Sequence, residues 1–114
     1  MNKNNIPENI KDWISPNKVV IFSKSYCPYC QRAKSFLNTM GVSFEYAECD
    51  QIPFSDTQSE QLQSLTGIST FPNIFIGTKS IGGCDSLMKL HSSGHLTKFL
   101  DEAGISYIKE QSKL

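Results

Sequence analysis

The stretch between Val19 and Met40 constrains the fold of this chain more than any other part of the sequence. It opens with a four-residue apolar run, Val19–Phe22, of the kind that forms a strand buried on both faces. After Cys27, apolar residues recur three and four positions apart, which predicts one stripe of a helix; they are Ala33, Phe36, Leu37 and Met40. Gly41 follows as the expected helix stop. A strand joined to a helix by a short loop predicts an α/β fold.

The remaining patterns complete one small α/β layer fold. A short helix over residues 7–14, anchored by Trp13 and Ile14, is expected before the first strand. Ser55 and Gln58 form a predicted capping box for a helix that ends at Gly67. The other predicted elements are a strand over 44–48, inward Leu62 and Leu65 on the capped helix, a hairpin over 73–83, and helices over 85–92 and 95–103.

With 114 residues and no internal repeat or linker, the chain is expected to form a single domain over 1–114. We expect an ordered core over about residues 8–104. The polar stretch 105–114 is expected to be a loose C-terminal tail.

Composition excludes several classes of function. Lysine plus arginine and aspartate plus glutamate both number 11, so there is no net basic charge of the kind typical of nucleic-acid binding. No apolar run approaches the roughly 18 residues of a membrane span, and no export signal precedes the four cysteines. We therefore expect a cytoplasmic protein with reduced thiols. The terminal Ser112-Lys113-Leu114 matches the peroxisomal import tripeptide, so a peroxisome is the alternative address.

The motif C-P-Y-C carries the predicted chemistry. If Cys27 is the helix N-cap, Pro28 takes the favoured first helical position, and unpaired N–H groups and the helix dipole stabilise the Cys27 thiolate. Lys24 adds a positive charge nearby. Cys30, one turn further on, suits a resolving thiol that attacks a mixed disulfide formed on Cys27. Strand, C-x-x-C and helix in this order are typical of a thioredoxin-like redox site.

A zinc site is the alternative interpretation of the cysteine pair, and the residues alone leave it open. Zinc needs four ligands, whereas Cys49 and Cys84 stand singly and the sequence has no second C-x-x-C. His91 and His95 are four residues apart, but Ser93-Gly94 between them is expected to break the helix. Each of these four residues is more simply an ordinary core or surface residue.

Four segments together resemble the dithiol glutaredoxins over roughly residues 8–104. They are V-V-I-F-S-K-S-Y-C-P-Y-C (19–30), L-T-G-I-S-T-F-P-N-I-F-I-G (65–77), I-G-G-C-D-S-L (81–87) and S-G-H-L-T-K-F-L (93–100). The resemblance implies a thioredoxin-like fold, a four-stranded mixed sheet with helices on both faces. It also implies a glutathione-dependent thiol–disulfide oxidoreductase with a redox-active Cys27–Cys30 disulfide, glutathione as co-substrate and no metal.

The resemblance also implies a glutathione site. A cis Pro72 would let Thr70, Phe71 and Pro72 hold the cysteine moiety by main-chain bonds, with Tyr29 beside the sulfur. Lys24 would bind the glycine carboxylate. The γ-glutamyl end would lie on the N–H groups of Cys84 and Asp85 after Gly83, with the Asp85 side chain on its ammonium group.

The chain departs from the family pattern at three places. Phe71 stands where the family usually has valine, and the larger ring is expected to reshape the groove. Asp85-Ser86 replaces the common Ser-Asp or Asp-Asp, so the acidic contact is moved by one residue or halved. Ser59 stands at the position of a family glutamine that binds the glycine carboxylate, and the adjacent Gln58 is the alternative candidate.

The expected partners are therefore glutathione, glutathionylated or disulfide-containing proteins and, indirectly, the glutathione reductase system. The protein itself is expected to be a monomer. An iron–sulfur carrier, with a [2Fe–2S] cluster held between two subunits by Cys27 and glutathione, is the alternative function. Pro28 argues against it, because family members with C-P-Y-C seldom bind clusters. A thioredoxin-type reductase served by a flavoenzyme is a second alternative, although thioredoxins usually show W-C-G-P-C.

Overall fold

The computed structural model describes residues 6–108, so the Ser112-Lys113-Leu114 tripeptide lies outside the described residues. The elements in chain order are α1 (Lys11–Ile14), β1 (Val19–Ser23), α2 (Pro28–Thr39), β2 (Glu45–Glu48), α3 (Asp56–Thr66), β3 (Asn73–Ile76), β4 (Lys79–Gly82), α4 (Cys84–Ser93) and α5 (Leu96–Glu102). Within residues 6–108, none of the helices has the length and apolar composition of a membrane-spanning segment.

The four strands form one mixed sheet in the order β2-β1-β3-β4. β1 runs parallel to β2 and antiparallel to β3, and β3 pairs antiparallel with β4 across the predicted hairpin. β1 is buried along its whole length, as its continuous apolar run predicts. β2 and β4 are the two edge strands, each four residues long, and the ladder between β3 and β4 is irregular at Ile74 and Phe75.

Helices cover both faces of the sheet, so the predicted thioredoxin-like architecture is confirmed. On one face α2, α4 and α5 pack on alternate β1 residues, Val19 and Ile21, around Leu37, Leu87 and Leu100. On the other face α1 and α3 pack on Val20 and Phe22. We call these the first and the second core cluster. Because β1 packs in both clusters and ends four residues before Cys27, it anchors the loop that carries this cysteine.

Most predicted helix ends are confirmed. Cys27 is the N-cap of α2 with Pro28 in its first turn, and Gly41 after α2 has φ +75°, a conformation that favours glycine. Ser55 and Gln58 form the capping box of α3, which ends at Gly67 in the left-handed conformation. The helix predicted over 7–14 is shorter than expected, because only Lys11–Ile14 is helical, although Trp13 and Ile14 are buried as predicted.

Two predictions about packing are wrong. Leu65 on α3 is exposed, because only Leu62 of that helix packs on the second core cluster. The tail predicted to be loose from residue 105 packs on the fold as far as the structure describes it. Ile105 is buried in the first core cluster, and the Ile108 N–H donates to the Met40 carbonyl at 2.7 Å.

Candidate functional site

The sulfur of Cys27 lies at the start of α2, next to the carboxyl end of β1. Its side chain accepts a hydrogen bond from the Cys30 N–H at 3.2 Å, which satisfies one of the unpaired donors of the first helical turn. The same sulfur lies 3.7 Å from the Phe71 carbonyl, to which the thiol donates. An N–H donor and the positive end of the helix dipole both stabilise negative charge on this sulfur. Cys27 is also partly exposed, as a nucleophile must be.

Cys30 occupies a different environment, although it lies only three residues further along the chain. Its side chain is completely buried, and burial followed by the hydrogen bond with Cys27 raises the pKa of its thiol to about 11. Both cysteines are present as free thiols. The pair is therefore unequal, with one accessible sulfur and one shielded protonated thiol behind it.

A groove of about 190 Å³ opens beside this pair. It is lined by eight residues from three parts of the chain: Tyr29, Thr70, Phe71, Pro72, Gly83, Cys84, Asp85 and Ser86. The Phe71–Pro72 peptide bond is cis, as predicted. All eight residues are among those that the resemblance connects with the glutathione site. The structure brings them together as one concave surface.

Two backbone segments, around Pro72 and Gly83, meet at the groove. A Cβ atom on Gly83 would lie 3.4 Å from the Pro72 carbonyl oxygen, at the near limit of ordinary van der Waals contact. Gly83 is also the N-cap of α4 and has no side chain to bond the first N–H groups of that helix. The N–H groups of Cys84 and Asp85 therefore remain without helical partners at the groove, which makes this end of α4 suited to a carboxylate.

The side chains of the first three residues of α4 differ in their exposure to solvent. Asp85 is exposed in the first turn of α4, whereas Ser86 is half-buried and its hydroxyl lies against Gly82, 2.8 Å from where a Cβ would stand. Cys84 is buried, and burial raises the pKa of its thiol, with the Arg32 charge acting in the opposite direction. Cys84 thus contributes a backbone N–H and a protonated side chain to this wall.

Lys24 contacts both Cys27 and Phe71. Its carbonyl accepts the Cys27 N–H at 3.1 Å, and its ammonium group lies 4.8 Å from the centroid of the Phe71 ring. Lys24 is half-buried and does not itself line the groove, but it touches the residue that links the groove to the sulfur.

Gln58 and Ser59 do not line the groove. The Gln58 side chain is buried, its oxygen accepts the Ser55 N–H at 2.7 Å, and its amide donates to the Pro7 carbonyl at 2.9 Å. These bonds commit the side chain to the helix cap and to the segment before α1. Ser59 is exposed on α3 and absent from the groove lining. The Gln58 side chain is therefore not available to a ligand in the groove, and the glycine-carboxylate role of Ser59 stays a prediction.

The residues considered for zinc are dispersed. Burial raises the pKa of Cys49 to about 12, and His91 packs edge-on against Phe36 with ring centroids 4.8 Å apart. His95 instead bonds the Ser93 hydroxyl at 2.8 Å. Within residues 6–108, no three histidine, cysteine, aspartate or glutamate side chains cluster as metal ligands would.

Sequence reasoning missed Asp50, which braces the loop before Cys27. Its carboxylate accepts the Ser25 hydroxyl at 2.5 Å, the Ser25 N–H at 2.8 Å and the Gln51 amide at 3.1 Å. These bonds, with the Ser25 hydroxyl as the largest cause, hold the pKa of Asp50 below its usual range. The signal was available in principle, because parallel pairing of Ser23 with Glu48 places the residues that follow them side by side.

Comparisons with known proteins agree with this geometry. The family model described as glutaredoxin matches residues 19–81. A glutaredoxin of Ricinus communis is 45% identical over 94 residues, covering 82% of this chain and 92% of that protein. Glutaredoxin-C2 of Arabidopsis thaliana is 42% identical over 101 residues, covering 85% and 87%. The crystal structure of a buckwheat glutaredoxin–glutathione complex superposes with a TM-score of 0.78 at 41% identity, covering 82% of this chain and 86% of that one.

A partly exposed helix-capping cysteine, a buried second cysteine and a groove beside a cis-proline, at the end of this sheet's first strand, define a thiol–disulfide oxidoreductase of the thioredoxin-like fold. The family model covers more than half of the chain, and the curated relatives match it along most of their length. The chain belongs to the glutaredoxin family, which consists of glutathione-linked thiol oxidoreductases.

Proposed function

We propose that this protein reduces protein–glutathione mixed disulfides and protein disulfides, with Cys27 as nucleophile, Cys30 as resolving thiol and glutathione as co-substrate. The observation that carries the proposal is the position of the Cys27 sulfur, which touches the Phe71 carbonyl at the wall of the groove. A tripeptide lying in that groove would bring its own sulfur to Cys27. The relative from buckwheat was crystallised as a complex with glutathione, which supports the same ligand here.

In the first step the Cys27 thiolate attacks the glutathione sulfur of the mixed disulfide. A Cys27–glutathione disulfide forms, and the protein thiolate leaves and takes a proton from solvent. A second glutathione thiolate can then attack the glutathione sulfur, which releases oxidised glutathione and restores the Cys27 thiolate. Alternatively Cys30 attacks Cys27, releases reduced glutathione and forms the Cys27–Cys30 disulfide, which two further glutathione molecules reduce.

The burial of Cys30 bears on which route dominates. A thiol with a pKa of about 11 is almost entirely protonated at neutral pH, and only the thiolate attacks a disulfide. We therefore expect the second glutathione to complete most cycles on mixed disulfides. The Cys27–Cys30 route then serves protein disulfides, where no glutathione is attached at the start.

Residues in and beside the groove would bind three different parts of the proposed ligand. Thr70, Phe71 and Pro72 would hold the cysteine moiety of glutathione along the main chain. The start of α4 would bind the γ-glutamyl carboxylate through the N–H groups of Cys84 and Asp85, and the exposed Asp85 carboxylate would face its ammonium group. Lys24 would bind the glycine carboxylate at the other end.

Activity toward a small glutathione mixed disulfide tests the proposal. Cys27→Ser should abolish the reaction, whereas Cys30→Ser should retain at least roughly half of it, because glutathione replaces the resolving thiol. With a protein disulfide as substrate, both variants should fail. Cys49→Ala is the matched control, since this cysteine is buried away from the groove, and it should behave as wild type. Equal losses in Cys27→Ser and Cys30→Ser on the small substrate would contradict the assigned roles.

A further inference from the structure

The ammonium group of Lys24 is held by aromatic rings. It lies 4.8 Å from the Phe71 ring centroid and 6.0 Å from that of Tyr26, both within the range of a cation–π interaction. Tyr26 is 72% exposed, whereas the Phe71 ring is half-buried against the second core cluster. Phe71 is therefore the fixed partner of the two, since its ring is packed from behind.

This contact leaves Lys24 free to bind an anion. An ammonium group has three hydrogen-bond donors, and a ring face attracts its charge without accepting them in the way a carboxylate does. Within residues 6–108, no carboxylate makes an ion pair with Lys24; the pairs there involve Lys34 and Lys79. The cation is thus oriented but still available to a ligand.

Phe71 also joins this cation to the reacting centre. Its carbonyl contacts the Cys27 thiol at 3.7 Å, while the Lys24 carbonyl accepts the Cys27 N–H at 3.1 Å. A lysine side chain is flexible along its four-carbon stem, and ordering it when a ligand binds reduces affinity. A ring that orders the side chain beforehand removes part of that loss.

We propose that the Phe71 ring is a positioning residue that pre-orients Lys24 and thereby sets the preference of the site for substrates with a carboxylate at that end. The inference rests on the proposed function, because it assigns Lys24 to the glycine carboxylate of glutathione. It goes further in giving the Phe71 ring a role beyond the main-chain contacts proposed for this residue. An aliphatic side chain there keeps the main-chain contacts but offers the cation no ring.

The variants Phe71→Leu and Phe71→Tyr separate the effect of the aromatic ring face from the effect of side-chain bulk. Leucine keeps an apolar side chain on the second core cluster but has no aromatic face, whereas tyrosine keeps the face. Assayed on the mixed disulfide of glutathione and 2-mercaptoethanol, Phe71→Leu should raise KM roughly three- to tenfold with kcat within about twofold. Phe71→Tyr should keep both constants within about twofold of wild type.

A second substrate, in which the glycine carboxylate is converted to an amide, measures directly how strongly the site prefers a carboxylate. Wild type should prefer the carboxylate over the amide, and Phe71→Leu should reduce that preference by the same factor by which it raises KM. In a Lys24→Met background, Phe71→Leu should have no further effect on KM, because the residue that the ring orients is gone. Phe54→Leu is the matched control, since that ring packs on the same cluster and has no cation over it among the described residues, 6–108, and it should leave KM unchanged.

The outcomes distinguish this inference from the function on which it rests. If wild type shows no glutathione-dependent activity, the proposed function fails. If wild type is active but Phe71→Leu and Phe71→Tyr behave alike, the ring has no special role. A KM effect of Phe71→Leu that persists unchanged with Lys24→Met, or that Phe54→Leu reproduces, likewise overturns the inference. Urea unfolding of each variant checks that the comparison is made on folded protein.

Discussion

Cys27 and Cys30 are separated by two residues, yet burial makes them chemically distinct. Cys27 stands at a helix end, partly exposed, while Cys30 lies inside the fold with its N–H donated to the Cys27 sulfur. The same helical turn thus stabilises charge on one sulfur and shields the other. Position along one turn of helix is enough to leave one thiol accessible and the other buried.

Alkylation should report this difference. At pH 7.5, iodoacetamide should modify Cys27 and leave Cys30 intact, because the Cys30 thiol loses its proton only as the pH approaches about 11. Peptide mass spectrometry after a timed reaction at several pH values measures both sites. In denaturing urea Cys30 should react near the ordinary thiol pH, which serves as the control. Comparable labelling of Cys27 and Cys30 in the folded protein at pH 7.5 would contradict the assigned environments.

Local sequence patterns identified the cysteine pair but could not predict the role of every side chain near it. Pro28 after Cys27 predicted the N-cap, because proline is favoured at the first helical position. Gln58 was ambiguous, since its capping role is local whereas its bond to Pro7 spans 51 residues. The contact between Asp50 and Ser25 spans 25 residues, so it becomes visible only when the pairing of the strands is known.

At the scale of elements, α3 binds the N-terminal segment as well as the sheet. Gln58 reaches the Pro7 carbonyl, and the Gln61 side chain accepts the Ile10 N–H at 2.8 Å. The helix periodicity predicted that α3 exists and where it ends, but it placed Leu65 inward as well as Leu62. Only the packed structure decides how wide the buried stripe is, because the N-terminal segment covers part of the helix.

Replacing Gln58 by alanine should therefore affect stability and not catalysis. The variant leaves the Ser55 N–H and the Pro7 carbonyl without their partners, and losing buried hydrogen bonds of this kind costs roughly 1–3 kcal/mol. Urea unfolding measures the loss, and KM for the small mixed disulfide should stay within about twofold of wild type. Ser59→Ala, on the exposed face of the same helix, is the control for both measurements. A clear rise in KM in either variant would restore the glycine-carboxylate role.

At the scale of the whole molecule, β1 connects the two core clusters. Its residues point alternately to opposite faces, so Ile21 packs in the first cluster and its neighbours Val20 and Phe22 pack in the second. The only tryptophan, Trp13, packs edge-on against Phe22 with ring centroids 5.2 Å apart. Loss of order on one face should therefore be transmitted to the other.

Ile21→Val tests this coupling. It removes one methylene from the first cluster and should lower the free energy of unfolding by about 0.5–1.5 kcal/mol. Because β1 is shared, the transition seen by Trp13 fluorescence should shift as far as the transition seen by far-ultraviolet circular dichroism. Ile108→Val, at a site that is 48% exposed, is the control and should shift neither appreciably. A shift in circular dichroism without one in fluorescence would show that the two clusters unfold separately.

The edges of the sheet have a consequence for the behaviour of the protein in crowded solution. β2 carries Glu45, and β4 carries Lys79 beside an irregular ladder, with only four residues in each strand. Short, charged and irregular edges disfavour pairing with a strand of another molecule. Neither edge offers a template on which the sheet could extend, so these strands should resist edge-to-edge aggregation even when the protein is abundant.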